Sequence, residues 1–241
     1  MSARLKGRRA LVTGASAGIG RACAVALAGE GADLVLTGRR AAALDEVAAL
    51  CGAKGVKTQV SAGDLCDRAY VQQLVADSAP IDILVNNAGV LTYAPLLDTQ
   101  IDDVQAMFQT NVIAAFDIAL SVARDMAARR SGHLIFVTSG AARNVNQLAV
   151  AYAGTKHALS AFAKGFRLEL KSAGLKVSEV APGMVDTGIR DSSRHPAVVN
   201  SLASRKYRPL TAEDVAEGVV FVATAPDNCC PDLVELRPKD A

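Results

Sequence analysis

Short apolar runs separated by longer amphipathic segments recur along the whole chain. The runs Ala10-Leu11-Val12, Asp33-Leu34-Val35-Leu36-Thr37, Lys57-Thr58-Gln59-Val60-Ser61, Ile81-Asp82-Ile83-Leu84-Val85, Leu134-Ile135-Phe136-Val137-Thr138, Leu175-Lys176-Val177-Ser178-Glu179-Val180 and Leu233-Val234-Glu235-Leu236 read as seven strands. Between them the apolar spacing turns helical. Helices are expected over 21–28, 41–50, about 67–78, 100–129, 151–172 and from Thr211 onward, where Thr211 and Asp214 have the spacing of a capping box. Regular alternation of strand and helix predicts an α/β fold of the doubly wound type, with a mostly seven-stranded parallel sheet covered by helices on both faces. In such folds ligands bind beyond the carboxyl ends of the strands, where the strand order reverses.

Composition narrows this picture without redirecting it. The 241 residues contain no linker, repeat or charge block, so one Rossmann-type domain over 1–241 is expected. The formal charge of +2 arises from dispersed Lys and Arg, which excludes the basic stripe of a nucleic-acid binder. No run approaches the roughly 18 apolar residues of a membrane span. Five cysteines without paired spacing read as reduced thiols in a cytoplasmic protein, the adjacent Cys229 and Cys230 included. The three histidines lie on unrelated segments, so no metal site is expected.

The glycine-rich turn Thr13-Gly14-Ala15-Ser16-Ala17-Gly18-Ile19-Gly20 lies between the first strand and the first helix. Such a turn lets backbone approach a pyrophosphate, whose charge then sits on the unpaired amides at the helix start. Its spacing, G-x-x-x-G-x-G, differs from the usual fingerprint, so by itself it also fits a tight turn. About 20 residues on, where an NAD site has a carboxylate for the ribose hydroxyl, this chain has Gly38-Arg39-Arg40. A guanidinium there binds a 2′-phosphate that a carboxylate would repel, which favours NADP. Arg39 is the main candidate and Arg40 reads as a solvated helix-start residue; the bland alternative makes both surface charges. Asp64 and Leu65 follow the third strand and fit an adenine contact, though Asp64 equally fits a helix cap. Asn86-Asn87-Ala88-Gly89 closes the fourth strand and reads as structural first, cofactor-lining second.

Tyr152 and Lys156 stand four apart on one predicted helix face. A lysine cation at about 4 Å and an effective dielectric of about 20 favours a phenolate by roughly 4 kcal/mol, or about 3 pKa units before desolvation losses. That brings a tyrosine into the range of a useful acid/base. Ser139, ending the fifth strand, can reach the same surface and position a carbonyl oxygen. Asn111, a poor helix-interior residue, either holds a water behind the lysine or is an ordinary exposed asparagine.

These motifs together resemble a short-chain dehydrogenase/reductase over essentially the whole chain: Thr13-Gly14-x-x-x-Gly18-Ile19-Gly20, Asn86-Asn87-Ala88-Gly89, Asn111, Ser139, Tyr152-x-x-x-Lys156, and Pro182-Gly183 with Thr187. The resemblance implies Tyr152 as acid/base, Lys156 as its partner and a ribose contact, Ser139 as substrate positioner and Asn111 as support for a proton relay. It also implies Pro182, Gly183 and Thr187 at the nicotinamide carboxamide, and Gly14, Ser16, Ile19 and Gly20 at the phosphates. Two departures stand out. Ala17 occupies a position where many NADP-dependent relatives carry a basic residue, leaving phosphate binding to Arg39 with Ser16 or Arg40. The end of the chain lacks the common Asp-Gly-Gly, and is similar to a branch acting on small hydroxy acids, β-hydroxy amino acids and some secondary metabolites.

The expected activity is NADP(H)-dependent interconversion of a carbonyl and a secondary alcohol. An epimerase or dehydratase reusing the tetrad, and a non-catalytic NADP-binding module, are the alternatives. Residues 188–209 are expected to form a substrate lid, with 90–97 and 143–150 completing the pocket; Arg143, Asn144, Asn146 and Gln147 fit a polar substrate group or a plain surface loop. The resemblance implies a homotetramer or homodimer built on the long fourth and fifth helices.

Overall fold

Residues 3–240 are described by a computed structural model of the chain. Seven strands, β1 (Arg9–Thr13), β2 (Asp33–Gly38), β3 (Thr58–Ala62), β4 (Ile83–Asn86), β5 (His133–Val137), β6 (Lys176–Pro182) and β7 (Leu233–Leu236), form one sheet. Its order is β3-β2-β1-β4-β5-β6-β7, with every neighbouring pair parallel. Strand order therefore reverses between β1 and β4, which pair as Ala10–Ile83 through Val12–Val85.

Two-residue alternation in the strands builds the two faces. Ala10, Val12, Leu34, Leu36, Ile83, Val85, Ile135 and Val137 pack toward helices α1 (Gly18–Gly29), α2 (Ala41–Gly52) and α8 (Ala212–Ala223). Leu11, Val35, Leu84, Leu134, Phe136 and Val177 pack toward α3 (Arg68–Ser78), α5 (Ala115–Arg129) and α6 (Val150–Leu170). The central strands β1, β2, β4 and β5 are covered on both faces and read as nearly continuous apolar runs, while the edge strands β3 and β7 are only partly covered. The Thr211–Asp214 capping box forms as its spacing predicts, each residue bonding the other's backbone at 3.1 and 2.7 Å.

The single helix expected over 100–129 is divided. Helix α4 (Ile101–Phe108) runs into a π-helical turn at Gln109–Ala114 before α5 continues. By length and mean hydropathy the 29 residues Ile101–Arg129 could cross a membrane, but half of the most apolar stretch is buried in the protein core. A further short helix, α7 (Pro196–Ala203), lies inside the segment expected as a lid.

Candidate active site

The glycine turn is held by its neighbours. Thr13 Oγ1 accepts from the amides of Asn87 and Ala88 at 2.9 Å each, and Asn87 Nδ2 donates to the Thr13 carbonyl at 2.9 Å. This stitches the ends of β1 and β4 together at the point of reversal. Gly14 and Gly18 have φ of +65° and +51°, a region open to glycine at little cost. A Cβ on Gly20 would run into the Gly14 carbonyl oxygen and sit 2.6 Å from Asn87 Nδ2. One on Gly18 would meet Thr187 Cγ2 at 3.3 Å, so β6's end closes on the loop. Helix α1 starts at Ala17 with no side-chain cap and no acidic residue in its first turn, leaving its amides and positive dipole end available to an anion. This donor set fits a dinucleotide pyrophosphate.

At the end of β2 the two arginines part company. Arg39 is exposed, and its charge reaches Cys66 after β3. Arg40 is not simply solvated: its Nη2 donates to Ser16 Oγ and to the Ser16 carbonyl, both at 3.3 Å, linking α2's start to the glycine turn. Asp64 does not cap α3; Asp67 does, accepting from Ala69 at 2.9 Å. Asp64 instead accepts from the Cys66 amide at 2.9 Å beside the buried Leu65.

A cleft of about 680 Å³ opens beyond the strand ends, lined by Ile19, Asn87, Gly89, Ser139, Tyr152, Lys156, Pro182, Gly183 and Thr187 among others. Nine of the expected site residues, drawn from six segments of the sequence, thus share one wall. Gly14, Ser16, Arg39, Arg40, Asp64 and Leu65 lie outside it, at the ends of β1, β2 and β3.

Tyr152 is buried, and burial pushes its phenol well above the ordinary range; nearby Tyr93 adds to this, while Ser139 and the charge of Arg190 oppose it. Tyr93 packs edge-on against the Tyr152 ring, 5.8 Å between centroids at 73°. Burial lowers Lys156 to about 8, with the Glu179 carboxylate pulling the other way. Lys156 Nζ donates to the Val137 carbonyl at 3.2 Å and lies 5.8 Å from the Tyr152 ring centroid. Burial therefore dominates both members of the pair, rather than the mutual stabilisation expected from their spacing alone.

Asn111 is fully buried inside the π-helical turn, not exposed. Its Oδ1 accepts from the Val90 amide at 2.8 Å, and its Nδ2 donates to the Val90 carbonyl at 2.8 Å and to Thr155 Oγ1 at 3.1 Å. The side chain thus fastens the segment following Gly89 to the helical turn just before Lys156.

Arg143 does not line the cleft. Its Nη1 pairs with Glu179 Oε1 at 2.9 Å and its Nε with Glu235 Oε1 at 2.7 Å. Asn144 and Asn146, from the same loop, do line the cleft. Glu179 is a buried neighbour of the site that the sequence reading passed over. It is 1 % exposed, and also accepts from Thr138 Oγ1 at 2.6 Å and Ser160 Oγ at 3.1 Å. Burial pushes its carboxyl up, but these donors and Arg143 outweigh that and hold it below the ordinary carboxylate range. A carboxylate in the middle of a strand expected to lie inside the sheet was the available signal.

The segment 188–209 is anchored at its base by Leu210, which pairs with Val185 and exchanges bonds with Met184 and Asp186. Ser192 Oγ donates to the Leu91 carbonyl at 2.7 Å, and Ser193 Oγ accepts from the Tyr93 amide at 2.9 Å. Two of the three expected substrate segments, 188–209 and 90–97, are therefore joined to one another.

Known proteins place this arrangement. Residues 8–197 match the family model for the short chain dehydrogenases, and the chain belongs to that family, a class of oxidoreductase enzymes. It is 33% identical over 98% of its length to the glycine betaine reductase ATRR of Emericella nidulans, of which it spans only 19%. It is 32% identical to an uncharacterised oxidoreductase of Staphylococcus aureus, covering 95% of this chain and 96% of the relative. The solved structure of a metagenomic short-chain oxidoreductase in complex with NADP superposes with a TM-score of 0.83 at 29% identity, covering 98% of this chain and 99% of that one.

Proposed function

We propose that the protein is an NADP(H)-dependent oxidoreductase that interconverts a carbonyl and a secondary alcohol, with residues 188–209 as its substrate lid. The observation carrying this is the convergence of Ser139, Tyr152 and Lys156 with Ile19, Pro182, Gly183 and Thr187 on one cleft. The bound dinucleotide supplies or accepts the hydride. Ser139 holds the reacting oxygen by its hydroxyl, and Tyr152 donates the proton to that oxygen in reduction or removes it in oxidation. Lys156, when protonated, favours the phenolate left behind. Asn111 keeps the Gly89–Val90 wall in register with the helix that carries both.

NADP rests on two features: the arginines after β2 with no carboxylate at that point, and the Arg40–Ser16 bridge, which sets a guanidinium beside the glycine turn. The NADP carried by a structural relative agrees with this. Arg39 and Arg40 are assigned to the 2′-phosphate, Asp64 and Leu65 to the adenine. Large apolar side chains exposed on the two long helices, Ile101, Ile113 and Leu168 among them, support a homodimer or homotetramer. Five free cysteines fit a cytoplasmic setting.

The test is NADPH oxidation with ketones, β-keto acids and diketones, and loss of that turnover in Tyr152→Phe. Absence of turnover with every carbonyl, alongside unaltered NADPH binding in Tyr152→Phe, would instead mark a binding module.

A further inference from the structure

A parallel sheet has two ends, and a second cavity lies at the one opposite the cleft. Its volume is about 360 Å³, and it shares no lining residue with the cleft. Asp82, His133 and Lys176 line it from the starts of β4, β5 and β6, Arg4 and Arg8 from before β1, and Arg130 from the turn between α5 and β5. Ile83 pairs with His133 and His133 with Lys176, so these three strand starts are neighbours.

The cations here are not equally neutralised. Arg4 is committed to Glu30, its Nε and Nη2 donating at 2.9 and 2.7 Å. Arg8 faces Asp82 at 4.0 Å, a carboxylate that Arg129 also approaches at 3.6 Å. Arg130 and Lys176 have no carboxylate within 4.0 Å among the described residues. Arg130 Nη2 donates to the Ser172 carbonyl at 3.2 Å, and Lys176 Nζ to the carbonyls of Ala225 and Pro226 at 2.9 and 3.3 Å. Carbonyl dipoles orient these two cations but leave their charge uncompensated. His133 adds a buried Nδ1 without a partner at the same strand starts.

The backbone under Arg130 is a separate observation. Its φ of +52° is left-handed, at the end of α5, where glycine is the ordinary residue. Gly174 closes on it, since a Cβ there would stand 2.9 Å from the Arg130 carbonyl carbon's oxygen. Local stability thus favours glycine at 130, and what arginine adds is a guanidinium on this cavity.

We infer that this cavity binds the phosphate group of a small molecule, held by Arg130 and Lys176 at the end of the sheet away from the active-site cleft. A phosphate carries close to two charges near neutral pH and several acceptor oxygens, which suits two uncompensated cations; a single carboxylate would leave one unmatched. The guanidinium supplies a fork and the lysine a point charge. The volume lies within the range of small-ligand pockets, leaving room for an organic remainder. Asp227, exposed and also on the lining, opposes the anion and limits its affinity.

The experiment is calorimetric titration of the full-length protein, saturated with NADP to fill the cofactor's own phosphate sites, with glycerol 3-phosphate and with inorganic phosphate. Both should bind, and each at least about tenfold more weakly in Arg130→Gly and in Lys176→Met. Glycine relaxes the left-handed backbone, so Arg130→Gly should unfold at no lower temperature than the wild type, and its lost binding is then not lost folding. Asp227→Asn should tighten binding severalfold, and Arg39→Asp should leave it unchanged. A tighter ester marks an organic phosphate as the ligand and equal affinities mark the free anion; either result supports a phosphate site. No binding of either probe, affinities unaltered in both cation variants, or malonate bound as tightly as phosphate overturns the proposal. So does a loss in Arg39→Asp as large as that in Arg130→Gly, which would put the phosphate at the cofactor site.

Discussion

Thr138 Oγ1 donates to the buried Glu179 carboxylate at 2.6 Å, and Thr138 immediately precedes Ser139. The same carboxylate takes a hydrogen bond from Ser160, one helical turn beyond Lys156. A single buried acid on β6 thus fixes the strand end carrying Ser139 and the helix carrying Tyr152 and Lys156, and Arg143 neutralises it. Removing one partner of a buried ion pair leaves an uncompensated charge, which costs about 3–5 kcal/mol. Arg143→Met is expected to lower unfolding stability by about that amount, and Arg143→Met/Glu179→Met to recover a good part of it. Urea denaturation of both checks this; a single variant within about 0.5 kcal/mol of the wild type, the usual spread for surface changes, would contradict it.

Lys156 titrates near 8 in the free protein because burial opposes its charge. Its cation is present below that pH and lost above it, so kcat/KM for carbonyl reduction should decline as pH rises through about 8. The Glu179 carboxylate holds the lysine protonated; Glu179→Gln should therefore move the break to lower pH. Steady-state profiles between pH 6 and 10 decide it, since kcat/KM reports groups of the free enzyme. An unmoved break would remove Glu179 from this role.

His133, 3 % exposed at the start of β5, accepts or donates at Nε2 to Ser178 Oγ at 2.8 Å, while its Nδ1 is buried without a partner. Burial lowers it to about 3, and Lys176 beside it adds to the effect. An unfolded chain takes up that proton near its ordinary pKa of about 6.5. Between those values the unfolded state binds more protons than the folded one, so stability falls as pH drops below about 6.5, by up to about 1.4 kcal/mol per pH unit from this residue. His133→Gln should flatten the acid side of a stability-versus-pH curve. An identical slope would show that other groups govern acid unfolding.

Cofactor choice is expected to follow the end of β2. Arg39→Asp should weaken NADPH binding at least tenfold more than NADH binding, because it would replace the guanidinium proposed for the 2′-phosphate with a repelling charge. Arg40→Met should show the same sign with a smaller difference, since it removes one guanidinium and its tie to Ser16. Equal losses for the two nucleotides, measured by fluorescence titration, would remove the 2′-phosphate assignment.

Much of the fold was legible because its physics is periodic. Strands that bury both faces are apolar throughout, and the seven runs fell within a few residues of β1 to β7. The interruption at Gln109–Ala114 was not legible, because a π-helical turn changes hydrogen bonding without changing the apolar spacing. Site residues were recognisable where chemistry and motif coincide, as at Tyr152 and Lys156. Arg143 was open to misreading, since a polar residue on a loop looks alike whether it faces a ligand or a buried carboxylate.

The sequence by itself determined the alternation of elements, the glycine turn that opens α1 and the side chains that meet beyond the strand ends, since these depend on local periodicity and on motif order. Only the tertiary structure decided what each polar group is paired with. Pairing joins residues far apart in the chain: Glu179 with Thr138, Arg143 and Ser160, Asn111 with Val90, Arg40 with Ser16. Burial likewise acts on Tyr152 and Lys156 from every element packed around them, raising the one and lowering the other.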